Sequence, residues 1–565
     1  MNIIKGIPPV LDGQTDVSID IEMFGQEKAK LHRPHGTFAC ISLGVEDSVY
    51  VVTERSALKE VFHQIKDAKH HIYHNAMYDI RQLSAMVEMD ERPVWDTMLV
   101  EKVLWGGYFG IAEFSLQDLV RRYLGIYMTK DPREEFSTRS YMTDEMVEYA
   151  AKDAYYTLKV KMAQEKEIDD RSYDMKAYWE VDAPAMWVFL NFLPVKIDVS
   201  RWLSMADEFV KRGEELENEL GFNVNSAKQI SEKFKYAKFP RTDKGNPKTD
   251  EDALLSLRGR IPADIVDKIL LARQYRKASS TYGEDWVKNF VEDDGLVYAD
   301  FHVTGTETGR PSCSSPNLLN IPARKIPEYR ELFISDRGKL LISDISAQEP
   351  ACLAYLSRDQ NLINIFKEGR DVHLEVARAI YNDPTLTKQK DADKRAVGKI
   401  VNLGTSYGMS AKGISEEVGI SIEESEKFLY NYFRKFPMVQ LYIDGQRSKA
   451  YSMGFVYTVV GRRIWINPYS DQWSRNAINA PIQGSAAEFT KKWLVRFRDG
   501  CCSNGLPFPV CNVVYDELVC DIETGLEDRY RTLQDETFAD ISEELFPGVP
   551  IKVETKSGSN WGCKK

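Results

Sequence analysis

The run KLLISDIS (339–346) carries an apolar strand directly into Asp344, and far downstream VVYDELV (513–519) sets Asp516 and Glu517 side by side in an equally apolar hairpin. A carboxylate buried without a partner costs roughly several kcal/mol or takes up a proton. A cation is one natural partner, and the hairpin is a natural source of further carboxylates. The two runs are therefore expected to meet in one sheet assembled from distant pieces. Taken alone, Asp516 and Glu517 also suit the polar tip of a hairpin.

The rest of the chain alternates in character. Strand-like runs at DVSIDIEMFG, GTFACISLGV and SVYVVT are followed by helical and apolar stretches to about Lys166, which predicts an α/β domain. From about Ile168 to Asp294 the pattern is helical and heavily charged, with a polar interruption between Pro240 and Pro247, as in an elongated helical arm. Strand patterns return at GLVYADFHVTG, and a long helical insertion runs from about Asp359 to Met453. At 565 residues and 64.8 kDa, two to four domains are expected.

Composition excludes little. With 43% hydrophobic and 28% charged residues and no unbroken apolar run, no membrane segment is expected. The start MNIIKGIPPVLDG lacks the basic and apolar regions of a secretory signal, and the 8 cysteines form no CxxC pair, so a cytoplasmic protein with reduced thiols is expected. A net charge of -12 leans against nucleic acid, yet an enzyme rich in acidic metal ligands can be acidic overall and keep a basic groove.

Asp20 and Glu22, in SIDIEMFG, stand two apart, so a strand's period sends both carboxylates to one face. Asn75 and Asp79 lie one helical turn apart in YHNAMYDIRQL, as do Tyr149 and Asp153 in VEYAAKDAYYT. Each pair alone also suits a solvated face. In DADKRAVGKIVNLGTSYGMS, Arg395, Lys399 and Leu403 form a stripe on one helix face, followed by Tyr407. The two cations suit a triphosphate, and equally an exposed basic face. RNAINAPIQGSAAEF repeats the spacing with Arg475, Asn479 and Gln483 on a helix that Pro481 should bend, a stripe suited to minor-groove acceptors.

The first set, Asp20, Glu22, Asp79 and Asp153 with Tyr149, resembles the 3′-to-5′ proofreading exonuclease of the ribonuclease H-like type. Together with TGTETGRPSCSSPNLLN (304–320), the later blocks resemble the family A DNA polymerases in order and spacing. The resemblance implies a multidomain α/β chain, a ribonuclease H-like exonuclease joined to a right hand of palm, thumb and fingers. It implies limits of 1–185 for the exonuclease, 186–295 for the lead-in to the palm and the helical thumb, 296–358 for the palm with Asp344, 359–467 for the fingers, and 468–565 for the palm with Asp516. A bacteriophage-type replicative enzyme is the subtype expected.

By the same resemblance each site takes two Mg²⁺ or Mn²⁺ ions, about 3.5–4 Å apart in such centres. Asp344 and Asp516 hold them in the palm, with Glu517 in support, while Asp20, Glu22, Asp79 and Asp153 hold them in the exonuclease, where Tyr149 orients water and Asn75 the strand end. Glu349 stands where the family excludes a ribose 2′ hydroxyl. Arg395 and Lys399 bind the incoming deoxynucleoside triphosphate, with Leu403 and Tyr407 beside it. Arg310, Asn320, Arg475, Asn479, Gln483 and Lys277 touch primer-template DNA, and Arg273, Lys277 and Thr281 of the thumb segment RQYRKASSTY are expected to contact phosphates. A processivity factor or replisome proteins are compatible partners, and a membrane is not.

The chain departs from the pattern at Leu403, where relatives carry Phe or Tyr, at Tyr515, where His is usual, and at Leu319, in place of a Gln. None of these removes a metal ligand or a phosphate-binding cation, so an active enzyme with shifted selectivity is expected. The rival reading is a 3′-to-5′ exonuclease whose polymerase-like half only binds DNA.

Overall fold

A computed structural model describes residues 1–25, 34, 36–128, 134–242, 244–323 and 326–564; residue 243 of the polar interruption falls outside them. In the N-terminal part, strands β1 (Asn2–Lys5), β2 (Val17–Phe24), β3 (Thr37–Val45), β4 (Ser48–Val52), β5 (His71–Tyr73) and β6 (Val94–Asp96) form one six-stranded sheet in the order β1-β4-β3-β2-β5-β6. The strands β2 to β4 match the three sequence runs. β2 buries Val17, Ile19 and Ile21 on one face.

Its other face carries Ser18, Asp20 and Glu22 beneath the long helix Asp144–Arg171. Ser18 Oγ donates to the Ala154 carbonyl at 2.6 Å, fixing that helix over the strand. Gly44 of β3 makes the approach possible: a Cβ there would stand 2.4 Å from Ser18 Oγ and 3.1 Å from the Ala154 carbonyl oxygen. Packing between sheet and helix thus sets where Tyr149 and Asp153 meet the acids of β2.

The expected sheet of distant pieces forms. Its order is Val510–Val514, Glu517–Glu523, Gly338–Ser346, Lys552–Gly558, all antiparallel. Asp344 lies opposite Glu517, and Ile345 N donates to the Asp516 carbonyl at 2.9 Å. The 31-residue helix Trp473–Ser503 and the helix Glu527–Leu545 pack beneath it through Phe489, Trp493 and Phe538. The former runs on through Pro481.

The helical arm is an antiparallel pair, Val199–Leu220 and Ala263–Thr281, whose tip has its own small core of Val224, Ile230, Phe234, Leu254 and Ile261. The insertion after Asp359 is a run of helices from Gln360–Lys367 to Pro437–Met453 that ends in a hairpin, Phe455–Tyr457 with Arg463–Trp465. The architecture is the expected one, an α/β exonuclease-like domain joined to a hand of palm, thumb and fingers.

The N-terminal domain is tied to the hand by buried charge and stacked rings. Asp182 accepts from Arg462 at 2.8 Å, Lys491 at 2.7 Å and Thr304 at 3.2 Å, all within the interior. Burial opposes ionisation of Asp182, but the two cations outweigh it and hold its carboxyl below the usual range. Alongside, the rings of Trp105 and Trp465 stack at 5.6 Å, and the Arg463 guanidinium lies 4.0 Å from the Tyr173 ring centre and 4.3 Å from that of Phe455.

Candidate active sites

In the N-terminal domain, carboxylate oxygens of Asp20, Glu22 and Asp153 all lie within 4.8 Å of one another. Asp79 joins them from the helix Ala76–Ser84, fully buried, with Oδ1 accepting from Ile21 N at 3.1 Å. Burial first, then the charges of Asp20 and Glu22, push its pKa well above the ordinary carboxylate range. Crowded hard oxygens that resist joint ionisation are a donor set matched to a divalent cation. Tyr149, one turn before Asp153, is buried against Phe136.

Asn75 begins the Asp79 helix in the left-handed conformation, at φ 66°. Asp96 holds it there, accepting from Asn75 N at 3.1 Å and Ala76 N at 2.9 Å while capping the next helix through Met98 N and Leu99 N. Sequence reasoning missed this residue. Its signal is an aspartate closing a strand immediately before a helix.

A second grouping, Asp16, His70 and Glu165, has similar spacing. It encloses the Lys161 ammonium, 2.5 Å from Asp16 and 2.5 Å from Glu165, with His70 Nδ1 2.8 Å from Asp16. Burial opposes ionisation of Asp16, but the hydrogen bonds of His70 and Lys161 prevail and lower its carboxyl to about 2.

In the hand, the pairing of Asp344 with Glu517 brings Asp344 next to Asp516, which lines a cleft of about 250 Å³ with Arg310, Leu319, Glu349 and Tyr515 among others. Glu517 faces inward. Its Oε1 accepts from Arg330 at 2.9 Å and from the Trp561 indole at 2.8 Å, which fixes the acid beside the site. Gln348, also unforeseen, donates to the Ala486 carbonyl and Thr490 Oγ1, both at 3.1 Å, and so joins the segment after Asp344 to the long helix.

Glu349 is held at both oxygens. Arg310 donates to Oε1 and the Tyr407 hydroxyl to Oε2 at 2.5 Å; burial and then this carboxylate raise the Tyr407 phenol's pKa. Arg395 donates to Asp371 at 2.8 Å, the aspartate that caps the helix Val372–Tyr381. Burial works against that aspartate's charge, yet the Arg395 hydrogen bond keeps its carboxyl low. Next to it, burial and then Lys399 and Arg395 drive His373 down to about 4, so it stays neutral between two cations. Gly398 lets this helix approach closely, since a Cβ would stand 2.4 Å from the His373 carbonyl oxygen. Leu403 follows on the same helix, half-buried.

On the long helix Arg475 is exposed and Asn479 and Gln483 are half-buried, with Asn479 Oδ1 buried and without a hydrogen-bond partner among the described residues. Lys277, Thr281 and Asn320 are exposed. Arg273 departs from the expected outward phosphate contact: its guanidinium donates to the Val224 carbonyl at 2.6 Å and to Thr249 Oγ1 at 3.2 Å, bracing the arm from within. Its neighbours offer fixed acceptors that satisfy the cation inside the arm. Among the described residues no helix is long and apolar enough to cross a membrane.

Two acid-lined centres, one on an α/β domain and one on the palm of a right hand, define a polymerase-like chain with an attached exonuclease-like domain. The chain belongs to DNA polymerase family A, whose model matches residues 202–563, and a 3'-5' exonuclease model matches residues 11–169. It is similar to the thermostable DNA polymerase I of Thermus filiformis, 33% identical over 68% of this chain and 48% of the relative. It is also similar to DNA polymerase I of Pseudomonas aeruginosa, 28% identical over 89% of this chain and 57% of the relative. The chain thus spans about half the length of these relatives. Its fold matches that of the POL domain of Pol1 from M. smegmatis, solved in complex with DNA primer-template and dNTP, with a TM-score of 0.83, 23% identity and 99% of each chain covered.

Proposed function

We propose that the chain extends primer 3′ ends with deoxynucleotides under the direction of a DNA template, and hydrolyses those ends in its N-terminal domain. The observation that carries the reading is the strand pairing that sets Asp344 opposite Glu517 and so next to Asp516, whose cleft also holds Glu349 and Arg310. Asp344 and Asp516 would hold divalent cations in the palm, as Asp20, Glu22, Asp79 and Asp153 would in the exonuclease. Mg²⁺ or Mn²⁺, two per site, would supply charge that activates the attacking hydroxyl or water and offsets that on the leaving oxygen.

The chain's own groups do the rest. Arg395 and Lys399 draw in the triphosphate, Arg395 exchanging Asp371 for a phosphate oxygen. Glu349, clamped by Arg310 and Tyr407, fills the space a ribose 2′ hydroxyl would need. Leu403 packs against the incoming nucleotide. Tyr149 orients the attacking water and Asn75 the strand end. Arg475, Asn479, Gln483, Asn320 and Lys277 contact the duplex. The domain limits proposed are 1–185, 186–295, 296–358, 359–467 and 468–565. Glu517 supports Asp516 without binding metal directly.

The test is a labelled primer-template with Mg²⁺, with and without the four deoxynucleotides. Lengthening in their presence, replaced by 3′ shortening in their absence, is expected. Shortening under both conditions overturns the polymerase reading and leaves an exonuclease with a DNA-binding scaffold.

A further inference from the structure

Tyr515 sits at the tip of the hairpin that carries Asp516, in the left-handed conformation at φ 57°, with 55% of its surface exposed. An exposed aromatic ring in a left-handed turn is neither a core residue nor a favoured turn residue. Its backbone is held, the carbonyl facing Thr490 Oγ1 at 3.5 Å, and Thr490 is the same hydroxyl that Gln348 grips. Its ring lies under the Arg310 guanidinium, 5.8 Å from Cζ to ring centre. Arg310 also pairs with Glu349, which is bonded to Tyr407 at the end of the fingers helix Ala392–Ser406. A chain of contacts therefore runs from the fingers to the hairpin beside Asp516, and Arg310 is its central link.

We infer that Tyr515 is a positioning residue, the platform on which Arg310 rests as it passes from Glu349 to the terminal base pair of the primer. The inference rests on the polymerase reading. A guanidinium that leaves a carboxylate for an uncharged base edge loses its strongest partner. A ring face beneath it keeps the cation at the right height without competing for its hydrogen bonds. The state of the primer terminus and the grip on Glu349 are then coupled through one side chain.

The experiment measures single-nucleotide incorporation onto matched and terminally mismatched primer-templates, with kcat and KM separated. The full chain is compared with Tyr515→Phe, Tyr515→Leu, Tyr515→Gln, Arg310→Met, and Arg310→Met combined with Tyr515→Leu. Leu meets the same left-handed backbone as Tyr, so the pair isolates the ring from turn strain. The thermal midpoint and 3′ shortening of each variant report the fold, and Tyr515→Gln serves as the ringless variant should Leu misfold.

Tyr515→Phe should stay within about twofold of the parent. The ringless variants should lower kcat on matched ends by about 2- to 30-fold, the range of a cation–π contact. Nucleotide KM should change little, the matched-to-mismatched ratio should narrow, and Tyr515→Leu should add nothing once Arg310 is Met. Equal damage from Phe and Leu would assign the role to the hydroxyl and overturn the inference, as would independent losses in the combined variant. Failure of the parent chain to extend a matched primer would sink the polymerase reading, a result distinct from either.

Discussion

The two acidic centres solve one electrostatic problem differently. In the N-terminal domain three carboxylates crowd within 4.8 Å, and a fourth, Asp79, is made hard to ionise by burial and by its neighbours. In the palm the third acid is grounded: Glu517 is bound to Arg330 and Trp561, and the nearby cations are engaged with other acids, Arg310 with Glu349 and Arg395 with Asp371. The first centre is complete on one sheet and its covering helices. The second is assembled from groups resting on internal partners, so on the proposed reading a substrate would have to exchange those partners before chemistry.

Removing ligands breaks the comparison most strongly. Asp344→Ala or Asp516→Ala should reduce extension by about 10³-fold or more and leave 3′ shortening intact, and Asp20→Ala with Glu22→Ala should do the reverse. Gel resolution of both products in one reaction checks this, and near-parental extension by Asp516→Ala would refute its assignment. Next comes the gate. Glu349→Ala should raise ribonucleotide incorporation relative to deoxynucleotide by about 10²-fold, read from the ratio of kcat/KM values.

Glu517 sharpens the contrast within the palm. Glu517→Gln keeps the shape and an acceptor for Trp561 but leaves the Arg330 charge poorly paired, so extension should fall about 10-fold or less and the thermal midpoint should drop. A loss as deep as that of Asp516→Ala would make Glu517 a ligand. The smallest effect belongs to the acid grouping filled by Lys161. Because the folded Asp16 carboxyl is lowered to about 2, its contribution is full above its unfolded value near 3.8 and is lost as pH falls toward 2. Asp16→Asn should therefore cost about 1–2 kcal/mol at neutral pH, after allowance for solvent screening, with the difference from the parent vanishing on acidification. A difference still at its neutral-pH size at pH 2 would mean packing, not charge.

Much of this was legible in the residue order. The period of two behind Asp20 and Glu22, the apolar run into Asp344 and the four-residue stripe of Arg395 and Lys399 are local signals, and the structure keeps each on the element expected. What escaped was set by partners distant in the chain. Lys552–Gly558 completes the palm sheet although its residues, half-buried or exposed, carry no apolar alternation. Asp96, Asp371 and Gln348 read as ordinary polar residues until the backbone groups they satisfy come within reach. The expectation that Arg273 faces outward rests only on the resemblance of its segment to the family's thumb, but carbonyls from elsewhere in the arm claim it.

The junction at Asp182 bears on how one DNA end would reach both centres. An aspartate sealed between Arg462 and Lys491, beside interlocked tryptophans, does not release without stranding ions in the interior, so the exonuclease-like domain has no hinge there to swing on. On the proposed reading, traffic between the centres would then fall to the strand: a frayed end would travel and an annealed end would stay. Editing in such a machine would be timed by how readily the last base pairs melt, leaving the nucleic acid itself to act as the clock.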